Sequence, residues 1–234
     1  MQNTETQAQV ERKAQKRLYP SLSNPSWLVL RKRRELFREW TRALPSASLS
    51  VLDIGGSVQP YRPLLQDRLR SYVAVDLRCT PLVNVVGQGE RLPFSGEAFD
   101  LVICTQMLEY APDPGRVIAE IYRVIRPGGR LFLSVPAIYP GDSSQDRWRF
   151  LPPGLRDLLS AFQEVKIAPE GASISGFMRT VCVFLALYVR PKFLAALLRF
   201  TLVPAFNLLA LTLETLWPNS NDEFAANFSV WAQK

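Results

Sequence analysis

One stretch of twelve residues, Ser50 to Tyr61 (SVLDIGGSVQPY), constrains the fold of this chain more than any other. Val51, Leu52 and Ile54 read as a short buried strand. Gly55 and Gly56 then supply a turn in which backbone can approach a ligand with no Cβ in between. Pro60 suits the first turn of a helix, where its missing N–H costs nothing, and a helix is predicted from about Tyr61 to Arg70. Tyr72 to Asp76 (YVAVD) follows as a second buried strand and ends in a carboxylate 20 residues beyond Gly56. That spacing places an acidic residue to bind the diol of a ribose in a βαβ unit of Rossmann-like type.

A pyrophosphate cofactor normally wants G-x-G-x-x-G, whereas Gly55 to Pro60 reads GGSVQP. Without the later glycines, and with an N–H lost at Pro60, a doubly charged phosphate would find a poor cradle. A cofactor with a ribose and no phosphate fits better, and S-adenosylmethionine is the common one. A plain strand-turn of an α/β domain carries the same letters, so the rest of the chain has to decide.

The remaining segments alternate strand and helix. Leu82 to Val86 is predicted as a third strand, with Gly87-Gln88-Gly89 looping from its carboxyl end. Phe99 to Cys104 is the fourth, Pro112 to Ile125 an amphipathic helix stopped by Pro127-Gly128-Gly129, and Arg130 to Val135 the fifth strand. A helix over Leu155 to Phe162, a sixth strand over Glu164 to Ala168 and a last strand over Phe228 to Ala232 complete the series. The pattern argues an α/β fold with a doubly wound, mostly parallel sheet and right-handed crossovers.

The chain divides into a basic N-terminal arm and helix (1–45), a cofactor-binding core (46–172), an apolar helical insertion (173–222) and a terminal strand that completes the core sheet (223–234). Residues 1–19 read as a polar tail, loose or helical, and the first firm helix is Trp27 to Arg42, capped by Ser26 or Asn24. Of the net charge of +7, +6 lies in residues 1–45. Such an arm attracts anionic lipid head groups, a phosphorylated substrate or nucleic acid, and equally it can be the solvated face of an amphipathic helix. Against nucleic acid, the catalytic region has no basic, aromatic track.

There is no histidine, which excludes His-based catalysis and His metal sites, and Cys79, Cys104 and Cys182 have neither pairing nor ligand spacing. No metal is expected. A reducing, cytoplasmic setting is the default, and residues 1–26 lack the apolar core of a signal peptide. Between Ser173 and Trp217 the chain is apolar on nearly every helical face, yet its longest run without a charge, Phe200 to Leu213, has 14 residues and contains Pro204. A span needs about 20, so no single crossing is predicted. Two readings stand open: a helical lid or dimer face packed on the sheet, and peripheral membrane contact, with Arg179, Arg190, Lys192 and Arg199 at head-group level.

With these residues laid out, the chain resembles the class I S-adenosylmethionine-dependent methyltransferases, and within them the type 11 group, over about Ser50 to Glu170. The resemblance rests on VLDIGG (51–56), YVAVD (72–76), ERLPFSGEAFDLVICTQMLEY (90–110), IAEIYRVIRPGGRLFLSVP (118–136) and DRWRF (146–150). It implies a seven-stranded sheet. It also implies that Asp53 and the backbone of Gly55 and Gly56 face the methionine end of the cofactor, with Ser57 following in the turn and Tyr61 packing beneath. Asp76 would hold both ribose hydroxyls, with Leu77 beside it; Gln88 and Gly89 would border the adenine, and Thr105 and Gln106 the sulfonium. The chain departs from the family at Ser57 and Gln59, which take the second and third glycine places, and at Tyr110, which replaces the usual histidine after Glu109.

The methyl of a sulfonium is already activated, so orientation and exclusion of water matter most, and orientation alone can supply ~7–11 kcal/mol of a barrier. An oxygen acceptor also benefits from a base. Asp146, Asp142, Tyr110 and Tyr139 are the titratable groups near the strand ends, with Asp146 the first choice and an ion pair to Arg147 or Arg149 its structural alternative. Trp148 and Arg149 can stack on or pair with a substrate, or fasten a loop. Glu109 reads as a helix cap or a support of the cofactor loop, and Asp100 as structural. The expected substrate is a small molecule or a glycan- or lipid-linked one, a lipid-soluble quinone included. A degenerate cofactor-binding scaffold at a membrane surface is the alternative of a different class. Oligomeric state is not readable from the sequence.

Overall fold

The structure, a computed structural model, describes residues 5–44, 48–141, 143–217 and 221–234; Asp142 lies outside them. Seven strands form one sheet: β1 (Leu49–Ile54), β2 (Leu69–Asp76), β3 (Val85–Val86), β4 (Phe99–Thr105), β5 (Ile125–Pro136), β6 (Gln163–Pro169) and β7 (Asn227–Gln233). Their order across the sheet is β3-β2-β1-β4-β5-β7-β6. All neighbours run parallel except β7, which is antiparallel to both β5 and β6. The chain steps outward from β1 to β2 and β3, then returns to β4 on the other side. The carboxyl ends of β1 and β4 therefore flank the point where the winding reverses, which is where ligands of open α/β sheets bind.

Period-2 burial decides which helices cover which face. Val51, Leu101, Ile103, Phe132 and Trp231 point to one side and pack with Leu18 of α1 (Gln7–Leu18) and Phe37 of α2 (Trp27–Thr41). Leu52, Val102, Cys104, Leu133 and Val230 point to the other and meet Val117, Ile118, Ile121 and Val124 of α3 (Pro114–Val124) and Leu155 of α4 (Pro152–Leu158). The N-terminal arm is thus part of the domain. Thr6 and Gln9 close a capping box on α1, and the Phe37 ring meets Phe132 edge-on at 4.9 Å.

Four local expectations are corrected. The helix predicted over Tyr61 to Arg70 is two 3-10 turns, Arg62–Leu64 and Gln66–Arg68, because Pro63 removes a second donor and β2 already begins at Leu69. The third strand shortens to Val85–Val86 at the sheet edge; Asn84 instead exchanges two hydrogen bonds with the backbone of Ala74, one through its side chain. Pro127 to Gly129 does not terminate α3, which ends at Val124. Those residues lie within β5, where Gly128 N–H donates to Lys234 O and Lys234 N–H to Gly129 O. The helix after Phe150 runs from Pro152 to Leu158, earlier than its apolar residues suggest.

Between β6 and β7 the chain forms α5 (Ser173–Tyr188) and α6 (Lys192–Leu216), which pack on each other. The structure joins residues across Arg199 and Pro204 into one 25-residue helix, and α6 is long and apolar enough to cross a membrane by length and composition. Val203, Asn207 and Ala210 form its buried stripe, and the Asn207 amide donates to the carbonyls of Leu22 and Asn24, tying α6 to the body. Its other faces are bare: Phe193 is 76% and Phe200 69% exposed.

Candidate active site

A cavity of about 940 Å³ opens at the carboxyl edge of the sheet, at the reversal point. Its cofactor half begins at the β1 turn. Gly55 sits at φ +77°, where a side chain would be strained, and an added Cβ would come within 2.8 Å of Met107. The turn uses its own donors: the N–H groups of Gly55 and Gly56 both reach Val75 O (2.8 and 3.3 Å), and Ser57 N–H donates to Asp76 Oδ2 (3.1 Å). No long helix follows with an open N-terminus. With these three amides already used and no helix dipole, a phosphate would find a poor cradle here.

Asp76 closes this half. Its Oδ1 accepts from Arg78 N–H at 2.8 Å and its Oδ2 from Ser57, so each oxygen keeps one acceptor direction for a ribose hydroxyl. Leu77, Gly87, Gln88 and Gly89 line the adjoining wall, and a Cβ on Gly89 would meet Met107 at 3.1 Å. Thr105 and Gln106 line the floor. Gln106 is held at φ +52° by its own N–H to Ser134 O and by Asn227, whose amide donates to its side-chain oxygen at 3.1 Å. A non-glycine residue in the left-handed region at a ligand edge is strain fixed by its surroundings. The set fits an uncharged nucleoside.

Two turn residues have side chains that turn inward. Ser57 Oγ accepts from Arg78, and Gln59, at φ +53°, donates to Leu82 O at 2.5 Å, so the two non-glycine residues of the turn brace the β2–β3 loop. Asp53, Gly56 and Ser57 do not line the cavity. Asp53 is buried under the turn, accepts from the Tyr72 hydroxyl at 2.6 Å, and burial pushes its carboxyl up to about 7. A Cβ on Gly56 would collide with Asp53 at 2.8 Å, which explains the second glycine. Tyr61 lines the cavity and also packs its ring, tilted, against Phe37 at 4.8 Å, anchoring α2; burial raises its hydroxyl to about 12.

The acceptor half gathers Tyr110, Tyr139, Asp146 and Arg149 with residues of α1, α2 and α5. Arg149 grips Asp146 bidentately (2.5 and 2.7 Å) and donates through Nε to Tyr139 O (3.0 Å). Trp148 lies outside the lining; its indole N–H holds Ala111 O at 2.8 Å and fastens the loop. Sequence reasoning gave Arg33 no role, Glu109 only a supporting one, and placed Arg179 at a lipid surface, whereas Arg179 is buried in the cavity lining. Glu109 is 3% exposed, lines the cavity, and has an Oε2 with no hydrogen-bond partner among the described residues. Burial foremost, with the Asp146 charge adding to it, raises its carboxyl to about 7. Arg33, from α2, grips Glu170 at 2.8 Å through two nitrogens, and Ser134 and Ser229 donate to the same carboxylate at 2.6 Å. This network joins the N-terminal arm to β5, β7 and, through Ser134, to Gln106. Glu109 stands in a quoted motif and only its burial was invisible. Arg33 and Arg179 come from segments whose placement no local pattern reveals.

Comparison with known proteins bears on this geometry. Residues 52–133 match the family described as "Methyltransferase domain". A curated relative, "Ubiquinone biosynthesis O-methyltransferase" of Pseudomonas putida, is 37% identical over 92 residues, 39% of this chain and 36% of the relative. The aligned part spans about a third of the length of the curated relatives it matches. Among solved structures, a SAM-dependent methyltransferase from Archaeoglobus fulgidus superposes with a TM-score of 0.52 at 16% identity, covering 86% of this chain and 94% of the other. The "[4+2]-Cyclase SpnF" does so at 0.56 and 18% identity, covering 99% and 97%. These two similarities establish the fold.

Proposed function

The chain carries a class I methyltransferase core of the type 11 group, and from that premise we propose that it transfers a methyl group from S-adenosylmethionine to an oxygen of a small, lipid-linked or glycan-linked acceptor. The observation that carries the cofactor is the β1 turn. Its amides are spent on Val75 and Asp76, while Asp76 keeps acceptor directions open toward the cavity. That combination suits a ribose without phosphate. When bound, the cofactor supplies an activated methyl group, and what remains for the protein is alignment, dryness and disposal of one proton.

Each task has residues in this cavity. Asp76 would take the ribose hydroxyls, Leu77, Gln88 and Gly89 the base, and Gly55, Thr105, Gln106 and Tyr61 the methionine end. Asp53, Gly56 and Ser57 would shape the turn from beneath. Arg149, oriented by Asp146, and Tyr110 and Tyr139 would position the acceptor. The proton goes to Glu109, whose carboxyl is poised near 7 and whose Oε2 is unpartnered, whereas both oxygens of Asp146 are taken by Arg149.

Two further observations favour a lipid-soluble acceptor: the curated relatives are named for ubiquinone biosynthesis, and the α5–α6 pair exposes apolar surface beside basic side chains. We place this pair flat on an anionic lipid surface, with Arg190, Lys192 and Arg199 at head-group level. The test is incubation with methyl-labelled S-adenosylmethionine and fractionated cell extracts. Label is expected in base-stable, lipid-soluble ethers or base-labile esters. Label confined to nucleic acid or to nitrogen would contradict the reading.

A further inference from the structure

Arg33, Arg149 and Arg179 all line the cavity, and their partners differ. Arg33 is neutralised by Glu170 and Arg149 by Asp146, both bidentately. Arg179, from α5, is 6% exposed and has no carboxylate within ion-pair distance among the described residues. It donates at 3.3 Å to two neutral acceptors, Ser26 Oγ and Ile138 O, and lies over the Tyr139 ring at 4.7 Å. Arg17 of α1 also lines the cavity and adds a cation. Burial foremost, with the neighbouring Arg33 charge, draws the Arg179 guanidinium down to about 10, against the opposing pull of the more distant Glu170.

A buried, uncompensated cation is costly, and the protein retains it where a ligand supplies the anion. A neutral sugar would leave the charge as it is. A phosphate or carboxylate would replace two long bonds by a paired, charge-assisted contact. Val29 and Leu30 of α2 line the same cavity one helical turn on from Ser26, and α5 exposes Phe177, Phe184 and Tyr188. Head and tail are thus both provided for.

We infer that the acceptor is an anionic amphiphile whose phosphate or carboxylate head pairs with Arg179 while its apolar tail follows Val29 and Leu30. The inference rests on the reading of this cavity as a methyl-transfer site and names the substrate class of that site.

Calorimetric titration of the full chain with dodecyl phosphate below its micelle concentration tests it, beside dodecyl maltoside and inorganic phosphate. Dodecyl phosphate is expected to bind at least tenfold more tightly than either. Arg179→Gln should remove most of that preference, and Arg179→Lys should restore part of it. Dodecyl maltoside bound as well as dodecyl phosphate, or no change in Arg179→Gln, overturns the inference. Inorganic phosphate bound equally well also overturns it, in favour of a soluble phosphorylated ligand. Should Arg179→Gln fail to fold, the three ligands on the unaltered chain still decide. No cofactor is present in these titrations, so failure of the methyl-transfer reading shows itself separately, as absent S-adenosylmethionine binding.

Discussion

In the proposed reaction Glu109 takes the one proton that has to be removed. A carboxyl raised to about 7 is a useful base at neutral pH, and it has to be ionised to act. Activity is therefore expected to fall as pH drops through about 7, and Glu109→Gln to lower kcat by roughly 10²-fold or more and flatten that limb of the profile. A Glu109→Gln enzyme with the original pH limb would assign the proton elsewhere. The same shift has the opposite sign for stability. Folded Glu109 and Asp53 hold protons that the unfolded chain releases from about pH 4 upward, so their contribution favours the folded state at mildly acid pH and is lost as pH rises toward 7. At this scale the sequence made Asp76 legible, because strand end and spacing fix its place. It left Asp53 and Glu109 open, because burial depends on what the rest of the chain lays over them.

Among the elements, strands were the most legible and the α5–α6 pair the least. Period-2 burial in β1, β4, β5 and β7 is written in the residues, whereas the turns after Tyr61 hang on two prolines competing with the start of β2. For the apolar pair, composition left both a packed face and a membrane face open. The structure buries one stripe, Val203, Asn207 and Ala210, and leaves Phe193, Phe200, Leu216 and Trp217 largely exposed. Burying one such aromatic side chain is worth about 1.5–3 kcal/mol, so replacing two should weaken adsorption by about 10²-fold or more. The chain is expected to float with vesicles containing phosphatidylglycerol, less so with phosphatidylcholine alone, and Phe193→Asp/Phe200→Asp to remain at the bottom of the gradient. Unaltered protein left at the bottom with anionic vesicles would return α5 and α6 to a protein partner.

At the scale of the whole molecule, one cavity draws on both ends of the chain. The core supplies the turn, Asp76 and the loop after β4. The arm supplies Arg17, Val29, Leu30 and Arg33, and the segment before β7 supplies Arg179. The buried Arg33–Glu170 pair locks arm to sheet, and removing one partner of such a pair typically costs about 3–5 kcal/mol. A fold of this kind hosts many reactions, so the claim to test first is the cofactor. Calorimetric titration of the full chain with S-adenosylmethionine and S-adenosylhomocysteine, beside Asp76→Ala, does so directly. Hydrogen bonds to a charged group are worth about 1.5–3 kcal/mol each, so losing two should weaken binding by about 10²-fold or more. Micromolar binding to the unaltered chain, lost in Asp76→Ala, is the expected result. A folded chain that binds neither ligand, or an Asp76→Ala variant that binds both as well as before, would contradict it.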